Sequence, residues 1–401
     1  MKKISSSNIL FVVVCITFIG YTLPAALLGS VWPMMYESLG VSISMQSILS
    51  YTQNATWSFA GIIGGFLMRR YKIGPMLLCC LVIVSAALLG FSLSSSFWIL
   101  FLLMIPLGFF VGTTDLYINC FATNNYKPSQ VSWIHSVASF GSMLGPLVIS
   151  FFLSGGVWQT GYRAIALIEL CIAGLLLVIM PLWSKVEQGE TESEEQASDV
   201  PVATYGEALR RKGVIAFLLC LICHCGIDQT VALWGPSFAV FCRNVTEAAG
   251  ASMASVYFFG QILGRVLSGI LLRRLKSRHL IVGGFGLGVL GFLLMFVFRT
   301  EMLLYLAFLL IGIGSGPIFP VIAADIPSLF GKSYTSPILG MQIALSLVNA
   351  ALPALFGVIA EVSLSAFLWY SSLFTVLGMA LALWMYFRTG AIGKKYALQK
   401  K

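Results

Sequence analysis

GFLMRRYK at Gly65–Lys72 and GILLRRLK at Gly269–Lys276 are two similar octapeptides, 204 residues apart in a chain of 401, and each closes a long apolar segment. The same offset carries Gly108 and Gly112 of GFFVGTTD onto Gly312 and Gly316 of GIGSGPIF. The chain is a duplicated unit. Duplicated apolar halves are the sequence mark of secondary transporters, whose substrate site is built at the repeats near the bilayer midplane.

Composition agrees. Hydrophobic residues make up 58% and charged residues only 10%, with a mean hydropathy of +0.93, far from soluble domains. A spanning helix needs about 20 apolar residues. Twelve stretches qualify, near residues 8–30, 45–68, 74–94, 98–122, 131–154, 162–183, 213–240, 248–272, 279–298, 302–325, 335–360 and 364–387. The expected fold is an all-α membrane protein of two six-helix bundles, residues 1–184 and 213–401, joined by a linker at 185–212. The first stretch is read as a retained helix, because it is long, carries Pro24 and Gly29, and shows no small-residue cleavage site.

Basic residues favour the cytoplasmic side of a membrane. Of the 24 Lys and Arg, twenty, among them Lys2, Lys3, Arg69, Arg70, Lys127, Arg273, Arg274, Lys400 and Lys401, fall on one side of the twelve stretches. Arg163, Arg243 and Arg299 fall on the other. Both termini are expected in the cytoplasm, and the net charge of +9 follows from this bias without nucleic acid as a partner. The linker carries Glu187, Glu190, Glu192, Glu194, Glu195 and Asp199 and reads as a solvated connection. Its second half, TYGEALRRKG, reads as a short amphipathic surface helix. Cys220, Cys223 and His224 spell C-x-x-C-H, but inside an apolar helix these thiols behave as small hydrophobes, and no haem, metal or other cofactor is expected.

Chemistry should reside in ionisable and polar residues that membrane helices otherwise exclude. Asp115 and Asp228 lie deepest, about 15 Å and 22 Å from the inner ends of their helices at 1.5 Å per residue. Asp115 is the expected proton carrier, with Asp228 second, because a dry cavity disfavours a bare carboxylate. Asp325 reads as a gating residue, and Glu169 as structural or gating. Polar side chains at helical spacing mark wet faces: Asn54 and Trp57; Asp115 and Asn119; Ser132, His135, Ser139 and Ser142; Tyr257 and Gln261; Gln342, Ser346, Asn349 and Pro353. Asn54, Trp57, Asn119, His135, Trp234, Tyr257, Gln261, Gln342 and Asn349 form the candidate substrate set. Arg69, Arg70, Arg265, Arg273 and Arg274 read as gating residues. Arg265 is read as locking a gate by pairing with a carboxylate or helix end, the other reading being an anionic substrate.

GFFVGTTDLYIN, with Asp115 four residues before Asn119, is followed by HSVASFGSMLGP from His135 to Pro146. This pair resembles the helix 4 and helix 5 signature of the fucose–galactose–glucose proton symporter family, within the major facilitator superfamily. GIDQTVALW at Gly226–Trp234, GRVLSGILLRR from Gly264 and Phe319–Pro320 are similar to its helices 7, 8 and 10. The resemblance implies a proton-coupled sugar transporter of the cell inner membrane, usually a monomer, with roles for Asp115, Asn119 and His135. Two positions depart from the pattern. Gly29 stands near the family's helix 1 acidic position, and Met68, Arg69 and Arg70 occupy a loop where the superfamily commonly has an acidic residue. Proton-driven efflux of an amphipathic compound and uptake of an organic or sugar acid are the other transport readings. An enzyme is not expected, since no nucleophile and base pair or phosphate loop is present.

Overall fold

The computed structural model describes residues 6–126, 128–190 and 203–398. Lys2, Lys3, Lys127, Lys400, Lys401 and the acidic part of the linker from Glu192 to Asp199 lie outside the described residues, as does the side chain of Ser132. Twelve long helical segments follow one another: α1 Leu10–Leu39, α2 Gln46–Arg70, α3 Ile73–Leu93, α4 Phe97–Asn125, α5 Trp133–Leu153, α6 Trp158–Pro181, α7 Val214–Arg243, α8 Glu247–Leu271, α9 Ser277–Val297, α10 Glu301–Ala324, α11 Lys332–Val362 and α12 Leu364–Thr389. Among the described residues eleven are long and apolar enough to cross a membrane, by length and composition. The other, α2, has 25 residues but is rich in hydroxyls and amides. Four of its polar side chains bond to its own backbone: Thr52 donates to the carbonyl of Ile48 at 2.8 Å, Asn54 to Ser50 at 2.9 Å, Thr56 to Thr52 at 2.9 Å and Ser58 to Asn54 at 2.9 Å. Such back-bonding lets a polar helix enter an environment without water.

The chain divides into two compact units, one of residues 1–197 with 245–255, the other of residues 198–244 with 256–401. The first is centred on an apolar core in which Val14 and Phe18 of α1 meet Leu77 and Leu81 of α3, Tyr117 and Phe121 of α4 and Ile134 of α5. In the second, Trp234 and Phe238 of α7 pack edge-on against Phe356 of α11 and parallel to Phe367 of α12 respectively.

The repeat seen in sequence reappears as a repeated contact. In the first unit, a Cβ added at Gly108 would lie 2.2 Å from the carbonyl oxygen of Gln53, and one at Gly112 would lie 2.7 Å from that of Trp57. In the second, a Cβ at Gly312 would lie 2.1 Å from the carbonyl oxygen of Tyr257, and one at Gly316 would lie 2.3 Å from that of Gln261. Gln53 and Trp57 stand 204 residues before Tyr257 and Gln261. The glycines therefore let α4 close on α2 and α10 on α8 by the same backbone-to-backbone approach, the usual use of small residues between membrane helices. Gly141 and Gly145 of the His135–Pro146 motif do likewise for α5 on α1, since added Cβ atoms would lie 2.1 Å from Thr22 Oγ1 and 2.3 Å from the carbonyl oxygen of Leu23.

Three segments are broken. α1 tightens to a 3₁₀ turn at Leu23–Ala26, which contains Pro24. α10 is interrupted between Ser315 and Ile318, at Gly316 and Pro317. α11 is interrupted at Leu345, between Ala344 and Ser346, so the stripe Gln342, Ser346, Asn349 and Pro353 does not run along one continuous helix as its spacing predicts. Proline or glycine accounts for the first two breaks. Interrupted membrane helices expose backbone groups at depth and are tolerated where they line a cavity or are buried in protein.

In the linker, Tyr205–Arg210 is a short helix with a reciprocal cap: Glu207 N–H donates to Thr204 Oγ1 at 3.3 Å, and Thr204 N–H donates to Glu207 Oε2 at 2.8 Å. It packs on α11, where a Cβ at Gly340 would lie 3.0 Å from the Tyr205 hydroxyl, and the Arg211 guanidinium lies over the Tyr334 ring, 5.2 Å from its centroid.

Candidate functional site

In the second unit a polar cluster forms around Asp228. The carboxylate oxygen Oδ1 accepts hydrogen bonds from the Tyr257 hydroxyl, the Gln261 side-chain amide and the Ser315 hydroxyl, the last at 2.7 Å. α7 supplies the acid and α8 two donors one turn apart, with the Gln261 amide also 3.0 Å from the Tyr257 hydroxyl. The broken end of α10 supplies the third donor. Arg265, one turn beyond Gln261, donates from Nε to the carbonyl of Gly316 at 3.2 Å and from Nη2 to Gln261 Oε1 at 3.4 Å. The guanidinium thereby satisfies a carbonyl freed where α10 breaks. The local cause of the cluster is the glycine contact: Gly312 and Gly316 bring the α10 break onto the turn of α8 that carries Tyr257 and Gln261.

In the first unit Asp115 of α4 accepts a 2.6 Å hydrogen bond from Nδ2 of Asn119 one turn on. The Tyr21 hydroxyl of α1 also hydrogen-bonds this carboxylate. Asp115 and Asp228 are both half-buried as whole residues. His135 is exposed and sets its ring edge-on to Phe18, centroids 5.6 Å apart.

The other expected site residues are placed as follows. Asn54 is tied to its own helix through the Ser50 carbonyl, and Trp57 lies against Gly112. Trp234 is fully buried and donates its indole N–H to the carbonyl of Pro353 at 2.9 Å, which joins α7 to α11. Gln342 is half-buried just before the α11 break. Asn349 lies after it, buried, with its side-chain oxygen free of any hydrogen bond. Asp325 accepts from the Ser277 hydroxyl at 2.9 Å and the Tyr386 hydroxyl at 2.8 Å, linking the ends of α9, α10 and α12. Arg69, Arg70, Arg273 and Arg274 are exposed at the ends of α2 and α8. His224 is buried one turn before Asp228, and Cys220 directs its thiol at the carbonyl of Gly378. Among the described residues no group of three or more His, Cys, Asp or Glu is arranged to hold a metal.

Sequence reasoning missed Tyr21 and Ser315. Neither lies on a polar stripe. The signals were a tyrosine three residues before Pro24 and a serine between the glycines of the GIGSGP break, both beside interrupted helix.

Residues 10–341 match the sequence profile of the Major Facilitator Superfamily. The chain belongs to that superfamily. It is a multi-pass membrane transporter of the superfamily's all-α fold, not an enzyme. The glucose/mannose transporter GlcP of Bacillus subtilis is 24% identical over 328 residues, which cover 79% of each chain. The bypass of stop codon protein 6 of Saccharomyces cerevisiae is 22% identical over 87% of this chain and 77% of its own. In fold, this superfamily member is similar to the peptide transporter POT solved with sulfate, with a TM-score of 0.74, 13% identity and cover of 96% of this chain and 95% of that one. The nucleoside transporter NupG gives 0.74 at 13% identity, with cover of 94% and 98%.

Proposed function

We propose that this transporter takes up a hexose such as glucose together with a proton. The observation that carries the reading is the cluster on Asp228: a half-buried carboxylate, a tyrosine hydroxyl, an amide and a serine hydroxyl, assembled beside a broken helix. Sugar hydroxyls are recognised by such a mixture of charged acceptor and neutral donors. The unused amide oxygen of Asn349 and the half-buried Gln342 add polar groups around the α11 break. The likeness to a glucose/mannose transporter supports the substrate class.

Asp115 is the proton carrier in this account. Its hydrogen-bond partners, Asn119 and Tyr21, are neutral, so a proton rather than a fixed cation neutralises it. Asp228 and its donors bind the sugar, and Asp228 is the second candidate for the proton. Alternating access exposes the acids first to one face of the membrane and then to the other, with the termini in the cytoplasm and the cell membrane of a bacterium as the setting. A membrane potential of about 150 mV supplies about 3.5 kcal/mol per proton, enough for accumulation of a few hundredfold.

Purified protein in liposomes tests the reading: labelled glucose, deoxyhexoses, sugar acids and amphipathic drugs are offered with and without an inwardly directed proton gradient. Gradient-driven glucose accumulation supports it. Gradient-driven extrusion of a drug with no sugar movement replaces it with efflux.

A further inference from the structure

Glu169 lies in the middle of α6, and its side chain is fully buried. Among the described residues neither carboxyl oxygen has a hydrogen-bond partner. A Cβ added at Gly20 of α1 would lie 3.1 Å from Glu169 Oε2 and 3.0 Å from the Cδ1 of Ile172 one turn on, so the α1 backbone closes directly over the acid. Three residues before Glu169, the carbonyl of Ala166 accepts the Ser85 hydroxyl of α3 at 2.7 Å, which seals the next turn of α6.

Among the described residues no charged group faces this carboxyl. On α1, Tyr21 turns its hydroxyl to Asp115, and Cys15 lies more than a turn from Gly20. On α5, His135 packs on Phe18. On α3 the titratable groups are the thiols of Cys79 and Cys80. On α6 itself, Arg163 donates to the carbonyl of Ser92 at 3.4 Å, Tyr162 packs on Phe91, and Cys171 is exposed. A carboxylate anion with no counter-charge and no donor is not sustainable in such a place.

α1 leaves α-helical geometry three residues after Gly20, at Leu23–Ala26. The backbone that covers Glu169 thus adjoins a ready hinge.

We propose that Glu169 is a further proton-binding site of this transporter, carrying its proton while α1 is seated on α6 and releasing it to water when α1 lifts at the Leu23–Ala26 turn. The step is simple acid dissociation: the O–H bond breaks, the proton passes to entering water, and the carboxylate left behind is solvated until α1 returns. The proposal rests on the proton-coupled reading above.

Two measurements on the full chain in lipid test it. The first is the infrared C=O stretch of protonated carboxyl groups at neutral pH, which needs no substrate. A band is expected in the wild type that shifts on labelling with [13C]glutamate, disappears in Glu169→Gln and survives in Asp115→Asn. The labelled wild type guards against misfolding of the variant. The second compares glucose exchange with gradient-driven glucose accumulation in liposomes: Glu169→Gln should retain exchange and lose accumulation at least about tenfold. A band insensitive to glutamate labelling overturns the proposal. So does a band lost in Glu169→Gln with accumulation unchanged, which marks a neutral structural acid. A wild type that moves no glucose refutes the sugar reading instead, and the band then decides the Glu169 site by itself.

Discussion

Tyr257 of α8 donates its hydroxyl proton to the carboxylate of Asp228 on α7, 29 residues earlier in the chain. The contact depends on a backbone feature, since Gly312 of α10 rests directly on the carbonyl of Tyr257 and fixes the turn from which the ring projects. A hydrogen bond to a charged acceptor contributes about 1.5–3 kcal/mol. Tyr257 is fully buried, so Tyr257→Phe acts by loosening Asp228: it should raise the KM for glucose by about tenfold, measured by counterflow, and lower the melting temperature, because the lost bond is internal. An unchanged KM would place the sugar elsewhere.

The repeated glycine contacts make a steric prediction. Gly316→Ala brings a Cβ to 2.3 Å from the carbonyl oxygen of Gln261, whereas Gly61→Ala on α2 meets nothing within 4 Å. The first should cost about 1–3 kcal/mol and visibly lower the thermal transition in detergent. The second should leave it unchanged. Equal melting points would show that α8 and α10 do not approach as described.

Trp234 separates packing from recognition. Its ring is fully buried and its N–H is bound to Pro353. Trp234→Phe should cost about 1 kcal/mol of stability while the glucose KM stays within about twofold, equivalent to less than 0.5 kcal/mol. A large rise in KM with unchanged stability would return Trp234 to the substrate surface.

The linker helix carries a pH signature. The Thr204 backbone N–H and hydroxyl hold the Glu207 carboxyl below the usual carboxylate range. Because the folded value lies below the unfolded one, the cap's contribution is complete at neutral pH and is lost as pH falls through the depressed folded value. Protection of the amides of residues 205–210, taken relative to the intrinsic exchange rate at each pH, should be high at pH 7 and low well below the ordinary Glu value of about 4.3. Thr204→Ala should show low protection at both, and equal protection in wild type at both pH values would contradict the cap.

The fold was legible because two octapeptides and two glycine pairs share one offset, and because spanning length is set by bilayer thickness. The polarity of α2 did not conceal it, since Thr52, Thr56 and Ser58 bond their own helix. The acids were legible as well, being costly in a membrane. Their partners were legible only where the spacing was a single turn, as for Asp115 with Asn119 and Tyr257 with Gln261. Tyr21 and Ser315 reach their acids from other helices at breaks, where helical periodicity stops carrying information. Trp234 shows the converse limit. Its place six residues after Asp228 reads as a sugar platform, whereas its burial and its N–H bond to the carbonyl of Pro353 could not be read from the sequence.

The most direct test of proton-coupled sugar uptake is the pH of a weakly buffered medium around liposomes when glucose is added without an imposed gradient. Wild type should alkalinise the medium as proton and sugar enter together. Asp115→Asn should abolish that signal while still exchanging glucose, and Asp228→Asn should lose both. Glucose entry with no pH change in wild type, or full alkalinisation in Asp115→Asn, would contradict the account.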